Sequence, residues 1–469
     1  MESETVVMYP SPEMGHLVSM VEFGKLIHTH HPSLSIVILI TLAPSKTGST
    51  STGKYINTIS GTIPSITFHH LPTIALPPEL SSHEFVDLSF EIPQLYNPIV
   101  HDTLVAISDE STIKGVILDF FTNAAFQVSK TLDFPTYYFF TSGASGLCSL
   151  LYIPIIHTTT SGDINDLNFY FDIPGLPPMH ASDMPTLLFD RESISYKNFI
   201  NTTGNMAKSS GIIVNSFVGF EESAVETLRD GKCIPDRPTP PIYLIGPLIA
   251  GGNLVDSSEN ECLKWLNSQP SKSVVFLCFG SRGVFKKEQL KEIAIGLEKS
   301  GQRFLWVVRD PPPGHENESS SGSKEFDLEE FVARTVDKGM VMKNWAPQPA
   351  ILGHDSVGGF VSHCGWNSVL EAVVAGVPMV AWPLYAEQKI NKVLLVERMK
   401  VAVALRMSSE GFVTAEAVEE KVTELMKGEE GRVVRERILE MSRRAKAAVV
   451  DGGSSQVDLR KLTQSWNAT

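Results

Sequence analysis

Short apolar runs alternate with amphipathic stretches along the whole chain, and the rhythm occurs twice. In the first half, residues 5–9 (TVVMY), 35–42 (SIVILITL), 115–119 (GVILD), 136–140 (TYYFF) and 211–215 (GIIVN) read as buried strands, with helices over 15–31 and 123–132. The rhythm breaks over 231–258, which is dense in Pro and Gly and predicts a boundary. A second series follows, with strands over 273–280, 303–308, 358–362 and 377–382 and helices over 286–300, 366–375, 388–399 and 415–427. Strand–helix alternation of this kind predicts parallel sheets covered on both faces. The expected fold class is α/β, with two Rossmann-like halves facing across a cleft and ligands outside the carboxyl ends of the strands. With 469 residues, each half is long enough to bury its own core.

The expected organisation is a first domain over 1–245, a linker over 246–258, a second domain over 259–450 and a final helix over 451–469. Residues 310–324 (DPPPGHENESSSGSK) read as a mobile surface insertion. The stretch 429–466 reads as helical, interrupted at Gly452-Gly453.

Composition excludes several classes of function. A net charge of −14 repels phosphate backbones, so no nucleic-acid partner is expected. The five cysteines are odd in number and scattered, without a CxxC, which argues against a disulfide framework or zinc site and fits a reducing compartment. The N-terminus lacks a basic segment followed by a long apolar stretch, and no run is long enough to span a membrane. The expected location is cytoplasmic, so the acceptor sequences at Asn201 and Asn317 read as chance. There is no Gly-x-Gly and no GxxxxGK[ST], which removes the dinucleotide fingerprint and the P-loop. No Asp-x-Asp is present to hold a nucleotide through a divalent metal.

The densest motif runs from Trp345 to Gln388 (WAPQPAILGHDSVGGFVSHCGWNSVLEAVVAGVPMVAWPLYAEQ). A strand ends at His363 and a helix begins near Trp366, with Asn367 and Ser368 in its first turn. Free N–H donors and the positive dipole end suit a diphosphate there. Glu371, one turn on, can accept from ribose hydroxyls, and Trp345 offers a flat face to a base. Glu387 and Gln388 together can hold several sugar hydroxyls.

This segment closely resembles the signature box of plant family-1 UDP-sugar glycosyltransferases, which have the GT-B fold. The likeness extends through YPSPEMGH near the N-terminus and the FCFGS-type strand-turn, here LCFGS, to nearly the whole chain. The stretches YPSPEMGHLVSMVEFGKLI and PLYAEQKIN are most similar to enzymes that glucosylate flavonoids, isoflavonoids and chalcones. The resemblance implies that Trp345 stacks on uracil, Gln348 lies near uracil and ribose, and Glu371 binds ribose. It places His363, Asn367, Ser368 and Ser281 on the phosphates. Trp366, Glu387 and Gln388 would line the sugar, and Thr141 would meet its 6-hydroxyl. Trp366 with Gln388 resembles the glucose-preferring pattern. His16 and Asp119 would form the catalytic pair, with imidazole as general base and the carboxylate orienting it. The chain end near 454–466 would return to the N-terminal domain. The implied reaction is inverting transfer of glucose from UDP-glucose to a hydroxyl of a small phenolic acceptor, by a monomer, with no cofactor and no metal.

Plainer readings stand beside these. Asp119 can serve as a helix cap, and Trp345 and Trp366 can be core aromatics. Phe85, Phe90, Tyr96, Phe120, Phe121, Phe189 and Phe199 can line an acceptor pocket or simply fill the core. Gly358-Gly359 reads as a bulge or close approach, Gly376 as a helix C-cap and Cys364 as a small filler. Competing functions are transfer to a terpenoid, steroid or hormone, C-glycoside formation, a non-catalytic UDP-sugar-binding protein, an epimerase or hydrolase, and a nicotinamide oxidoreductase.

Overall fold

β-Branched and aromatic residues in runs of five to eight give each half of the chain a parallel sheet. The structure is a computed structural model that describes residues 3–41, 48–160, 168–251, 260–310 and 327–466. The expected insertion, apart from Asp310, lies outside the described residues, as do residues 252–258 of the expected linker and the acceptor sequence at Asn317. The chain separates into two compact units, Met1–Ala250 with Ala447–Thr469, and Gly251–Lys446.

The first unit carries strands β1 (Glu4–Tyr9), β2 (Leu34–Ile40), β3 (Ile66–His70), β4 (Thr112–Asp119) and β5 (Thr136–Phe140). A two-residue pair, β6 (Tyr170–Phe171) and β7 (Met179–His180), forms a small antiparallel ribbon. β8 (Gly211–Val214) and β9 (Ile242–Leu244) complete the main sheet, whose order is β3-β2-β1-β4-β5-β8-β9 with every pair parallel. Strand order reverses between β1 and β4, so the chain leaves both strands at one crevice. Helix Met14–His30 buries Leu17, Met20, Val21 and Phe23 in the core formed with Val6, Met8, Ile36 and Ile38.

The second unit repeats the plan with β10 (Val274–Cys278), β11 (Arg303–Val308), β12 (Gly339–Lys343), β13 (Val357–Ser362), β14 (Met379–Ala381) and β15 (Ala402–Ala404). The order is β12-β11-β10-β13-β14-β15, again all parallel, with the reversal between β10 and β13. Gly358 and Gly359 are close-approach positions, since a Cβ on Gly358 would lie 2.3 Å from the Lys272 carbonyl oxygen. The ladder between β10 and β13 shifts register beside them.

The C-terminal helix Ser454–Ser465 packs on the first unit's sheet. Asp458, with its side chain only 4% exposed, accepts from the Leu244 backbone N–H (3.2 Å) and from Arg229 (2.9 Å). Trp466 is buried in the same core, edge-on to Tyr137.

Six strands fall outside the sequence expectation, and two of them, β6 and β7, have only two residues each. β9 and β15 are three residues each, too short to show a period, and β9 lies inside the Pro/Gly-rich stretch. β3 and β12 are edge strands with polar or half-buried residues, so neither reads as a buried apolar run. The helix expected over 388–399 ends at Val393 and opens into a π turn, Leu394–Arg398.

Candidate active site

The β1–β4 reversal assembles one group of side chains. β1 is buried after its first residue and ends at Tyr9, and His16 lies in the first turn of the helix that follows. Asp119 is the last residue of β4 and is fully buried. Its Oδ2 lies 2.8 Å from His16 Nδ1, and its Oδ1 accepts from the Phe121 backbone N–H at 2.9 Å. Asp119 is thus both a cap of the short 3-10 turn Phe120–Thr122 and the partner of His16. Thr122 Oγ1 donates to the Tyr9 carbonyl (2.7 Å) and so fixes the two strand ends together. With Nδ1–H donated to the carboxylate, Nε2 is the basic nitrogen, and His16 is a quarter exposed. Thr141, one residue beyond β5, places Oγ1 3.3 Å from the same Nδ1.

Aromatic rings abut this pair. Phe121 meets the His16 ring edge-on at 5.3 Å, and Phe90 tilts against Phe121 at 4.9 Å. Phe120 and Phe199 close the cluster at 4.7 Å from one another. Phe85 begins the helix that carries Phe90, and Phe189 follows the 3-10 turn Thr186–Leu188; both are half-buried. Phe189 makes no ring contact with the cluster among the described residues.

The β10–β13 reversal assembles the second group. β13 ends at Ser362, and the chain turns through His363, Cys364 and Gly365 into helix Trp366–Ala375. Cys364 holds φ at +64° to make that turn and is fully buried. His363 is wedged between two glycines: a Cβ on Gly280 or on Gly365 would lie 2.4 Å from its Nε2. Burial, and after it the nearby Arg309 guanidinium, pushes His363 down to about 4, so the ring is neutral at physiological pH. Its Nδ1 is buried with no hydrogen-bond partner. Ser281 is exposed immediately after the Gly280 turn, at the carboxyl end of β10.

Gln348 bridges two neighbours on the following helix, donating from Nε2 to Ser368 Oγ (2.7 Å) and to Glu371 Oε2 (2.6 Å). Burial pushes Glu371 up to about 7 against the opposing pull of that hydrogen bond. Gln388 is 3% exposed, and its Oε1 accepts from the backbone N–H groups of Leu384 (2.9 Å) and Tyr385 (3.0 Å). Among the described residues no three His, Cys, Asp or Glu side chains converge as a metal site, and no helix is long and apolar enough to cross a membrane.

Comparison with known proteins decides the family. A family profile described as UDP-glucoronosyl and UDP-glucosyl transferase matches residues 239–447. The chain is 71% identical to UDP-glycosyltransferase 88B1 of Stevia rebaudiana, over 99% of each. The chain belongs to the plant family-1 UDP-glycosyltransferases. It is also 50% identical to an anthocyanidin 5,3-O-glucosyltransferase of a Rosa hybrid cultivar, over 99% of each chain. The structure of Phytolacca americana UGT2 complexed with UDP-2fluoro-glucose and pterostilbene matches with a TM-score of 0.86 at 36% identity, covering 99% of this chain and 100% of that one. The protein is therefore a glycosyltransferase that uses a UDP-sugar donor.

Within this UDP-glycosyltransferase the two tryptophans of the signature box differ. Trp345 is 58% exposed, an open face rather than core, whereas Trp366 is 3% exposed. Asn367 and Glu387 are half-buried, on the first turn of helix Trp366–Ala375 and just before helix Gln388–Val393. Gly376 is the expected C-cap, with φ +70°.

Sequence reasoning missed three side chains here. Arg309, directly after β11, donates from Nε to the Gly280 carbonyl (2.6 Å) and is half-buried, with no carboxylate partner among the described residues. Arg282 lies over the Tyr385 ring at 5.2 Å, and the Tyr385 ring stands 6.1 Å from His363. The available signal was position: a lone base at the carboxyl end of the buried run RFLWVV, on the same sheet edge as Ser281 and His363.

Proposed function

We propose that this enzyme transfers glucose from UDP-glucose to a hydroxyl of a small phenolic acceptor of the flavonoid, isoflavonoid or chalcone type, with inversion. The observation that carries the reading is the 2.8 Å contact between His16 and the fully buried Asp119, next to an aromatic cluster. The acceptor hydroxyl gives its proton to His16 Nε2 as its oxygen bonds to the anomeric carbon. The bond from that carbon to the diphosphate oxygen breaks, and UDP leaves with the electron pair. Asp119 holds the imidazole tautomer and stabilises the imidazolium. Phe90, Phe120, Phe121 and Phe199 offer flat apolar faces to an aromatic aglycone, with Phe85 and Phe189 on neighbouring elements.

On the donor side, Trp345 stacks on uracil with Gln348 beside it, and Glu371 takes the ribose hydroxyls. Neutral His363, Asn367, Ser368 and Ser281 donate to the phosphates, and Arg309 supplies the cation next to them. Trp366, Glu387, Gln388 and Thr141 select the sugar. Gln388 also ties down the Leu384–Tyr385 backbone, so its role includes shaping that loop. The reading assigns no metal and no separate cofactor. All five cysteines are buried and unpaired, which suits a reducing cytosol.

The test is a product screen by mass spectrometry with EDTA present. UDP-glucose, UDP-galactose and UDP-glucuronate are each offered against flavonoids, isoflavones, chalcones and simple phenols. A β-linked hexose adduct with UDP-glucose and a flavonoid-type acceptor is expected. A retained α-linkage overturns the mechanism, and adducts confined to terpenoid or steroid acceptors overturn the acceptor class.

Glu371 adds a pH dependence. With its acid raised to about 7, it is protonated below that pH in the free protein and loses capacity to accept from ribose. UDP-glucose affinity is therefore expected to rise roughly tenfold between about pH 6 and pH 8, with proton release on binding falling from about one toward zero across that window. Calorimetry in buffers of different ionisation enthalpy reads both, and Glu371→Gln flattens the profile. The same shift makes the ligand-free protein less stable as pH rises from about 4.5 to about 7, because the unfolded chain gives up this proton first.

A further inference from the structure

The first unit holds a cavity of about 370 Å³ whose lining includes none of His16, Asp119, Thr141 and Phe121. Seven of its nine lining side chains are carboxamides, and none is charged. Asn198, Asn201 and Asn205 lie three and four residues apart, on one face of helix Ile194–Met206. Gln94 and Asn97 come from the junction of helices Phe85–Leu95 and Asn97–Glu110. Asn123 and Gln127 come from the segment after β4. Phe90 forms part of the wall and belongs to the ring cluster that reaches His16 through Phe121.

Two of these amides are oriented by their neighbours. Asn97 donates from Nδ2 to the Ala124 carbonyl (3.1 Å), while its Oδ1 is buried with no partner. Asn123 is 4% exposed, and its Oδ1 accepts from both Tyr138 OH (2.6 Å) and Asn205 Nδ2 (3.0 Å). That fixes the orientation of the group and leaves its Nδ2 as a donor.

The chemistry narrows the ligand. Carboxamides both donate and accept, as sugar hydroxyls do. A neutral lining gives no attraction to phosphates or carboxylates, and a polar one gains little from an apolar aglycone alone. The volume sits at the small end of the roughly 300–1,000 Å³ range of small-molecule sites. We infer that this cavity binds the sugar ring of a glycoside as a second, non-reacting site, with Phe90 as the apolar contact at its inner side. The choice of a glycoside rests on the sugar-transfer reading above; the occupancy of the cavity does not.

The test uses phenyl β-D-glucopyranoside as probe and the full chain saturated with UDP. Binding is followed by saturation-transfer NMR and calorimetry, with and without excess phenolic aglycone. Saturable binding that persists with both competitors present is expected. The paired substitution Asn201→Leu and Gln127→Leu, at two exposed rim positions, is expected to weaken it roughly tenfold, the effect of losing two amide hydrogen bonds. UDP affinity and the melting temperature, measured alongside, are expected to stay put. No detectable binding overturns the inference. So does displacement by the aglycone, which puts the glycoside in the acceptor pocket, and so does indifference to the rim substitutions. Failure of the transfer reading shows separately, as UDP binding without glycoside formation in the product screen.

Discussion

His16→Ala is expected to lower turnover with a weakly acidic phenol about 10²–10⁴-fold, the usual contribution of a positioned general base. UDP affinity is expected to stay within about twofold, because the residues proposed for uracil, ribose and the phosphates all belong to the other unit. Asp119 spends one oxygen on the Phe121 backbone and the other on His16 Nδ1, so the imidazole is held in one tautomer with Nε2 as its base. Asp119→Asn removes the acceptor while keeping the shape, and is expected to reduce turnover in the same direction through the wrong tautomer. Steady-state rates with matched acceptors of different acidity check this. The deficit should shrink as the acceptor hydroxyl becomes more acidic, since a more acidic hydroxyl needs less help losing its proton. Unchanged turnover in His16→Ala would sink the assignment of the base.

Arg309→Gln is expected to weaken UDP binding roughly 10–100-fold and leave uridine binding nearly unchanged. A charge-assisted hydrogen bond is worth about 1.5–3 kcal/mol. The structure gives the reason to expect one. Arg309 is half-buried, spends only Nε on the Gly280 carbonyl and pairs with no carboxylate among the described residues. Its charge is felt at His363, whose neutral ring stands between Gly280 and Gly365. In a chain of net charge −14, a cation with no carboxylate partner among the described residues, beside the Gly280 turn, would favour an anion there. Arg309→Lys keeps the charge without the planar fork and should fall between the two. Calorimetric titration with UDP and with uridine separates a phosphate contact from a general loss of the site. Equal weakening of both ligands would mean that Arg309 only braces the Gly280 turn.

Much of this architecture is legible because of its period. Buried parallel strands are continuous apolar runs, and β1, β2, β4, β5, β10, β11 and β13 announce themselves that way. The edge and short strands do not. β12 is half-buried along nearly its whole length, and β9 and β15 offer three residues each. The box from Trp345 to Gln388 is legible for another reason: its residues are close in sequence, all within 44 positions. Gln348, Ser368 and Glu371 meet there through side-chain hydrogen bonds across 20 and 23 positions.

The sequence by itself determined the α/β class, the two sheets and the residue types around one helix N-terminus, because these follow from local periodicity and local spacing. Only the tertiary structure decided which distant side chains meet. His16 and Asp119 are 103 positions apart, and they touch because strand order reverses between β1 and β4. Arg309 reaches the Gly280 turn because β11 lies beside β10. The exposure of Trp345, the burial of Trp366 and the gathering of seven carboxamides around one cavity are likewise products of packing. A linear pattern encodes which face a residue prefers, but not which neighbour will occupy the space beside it.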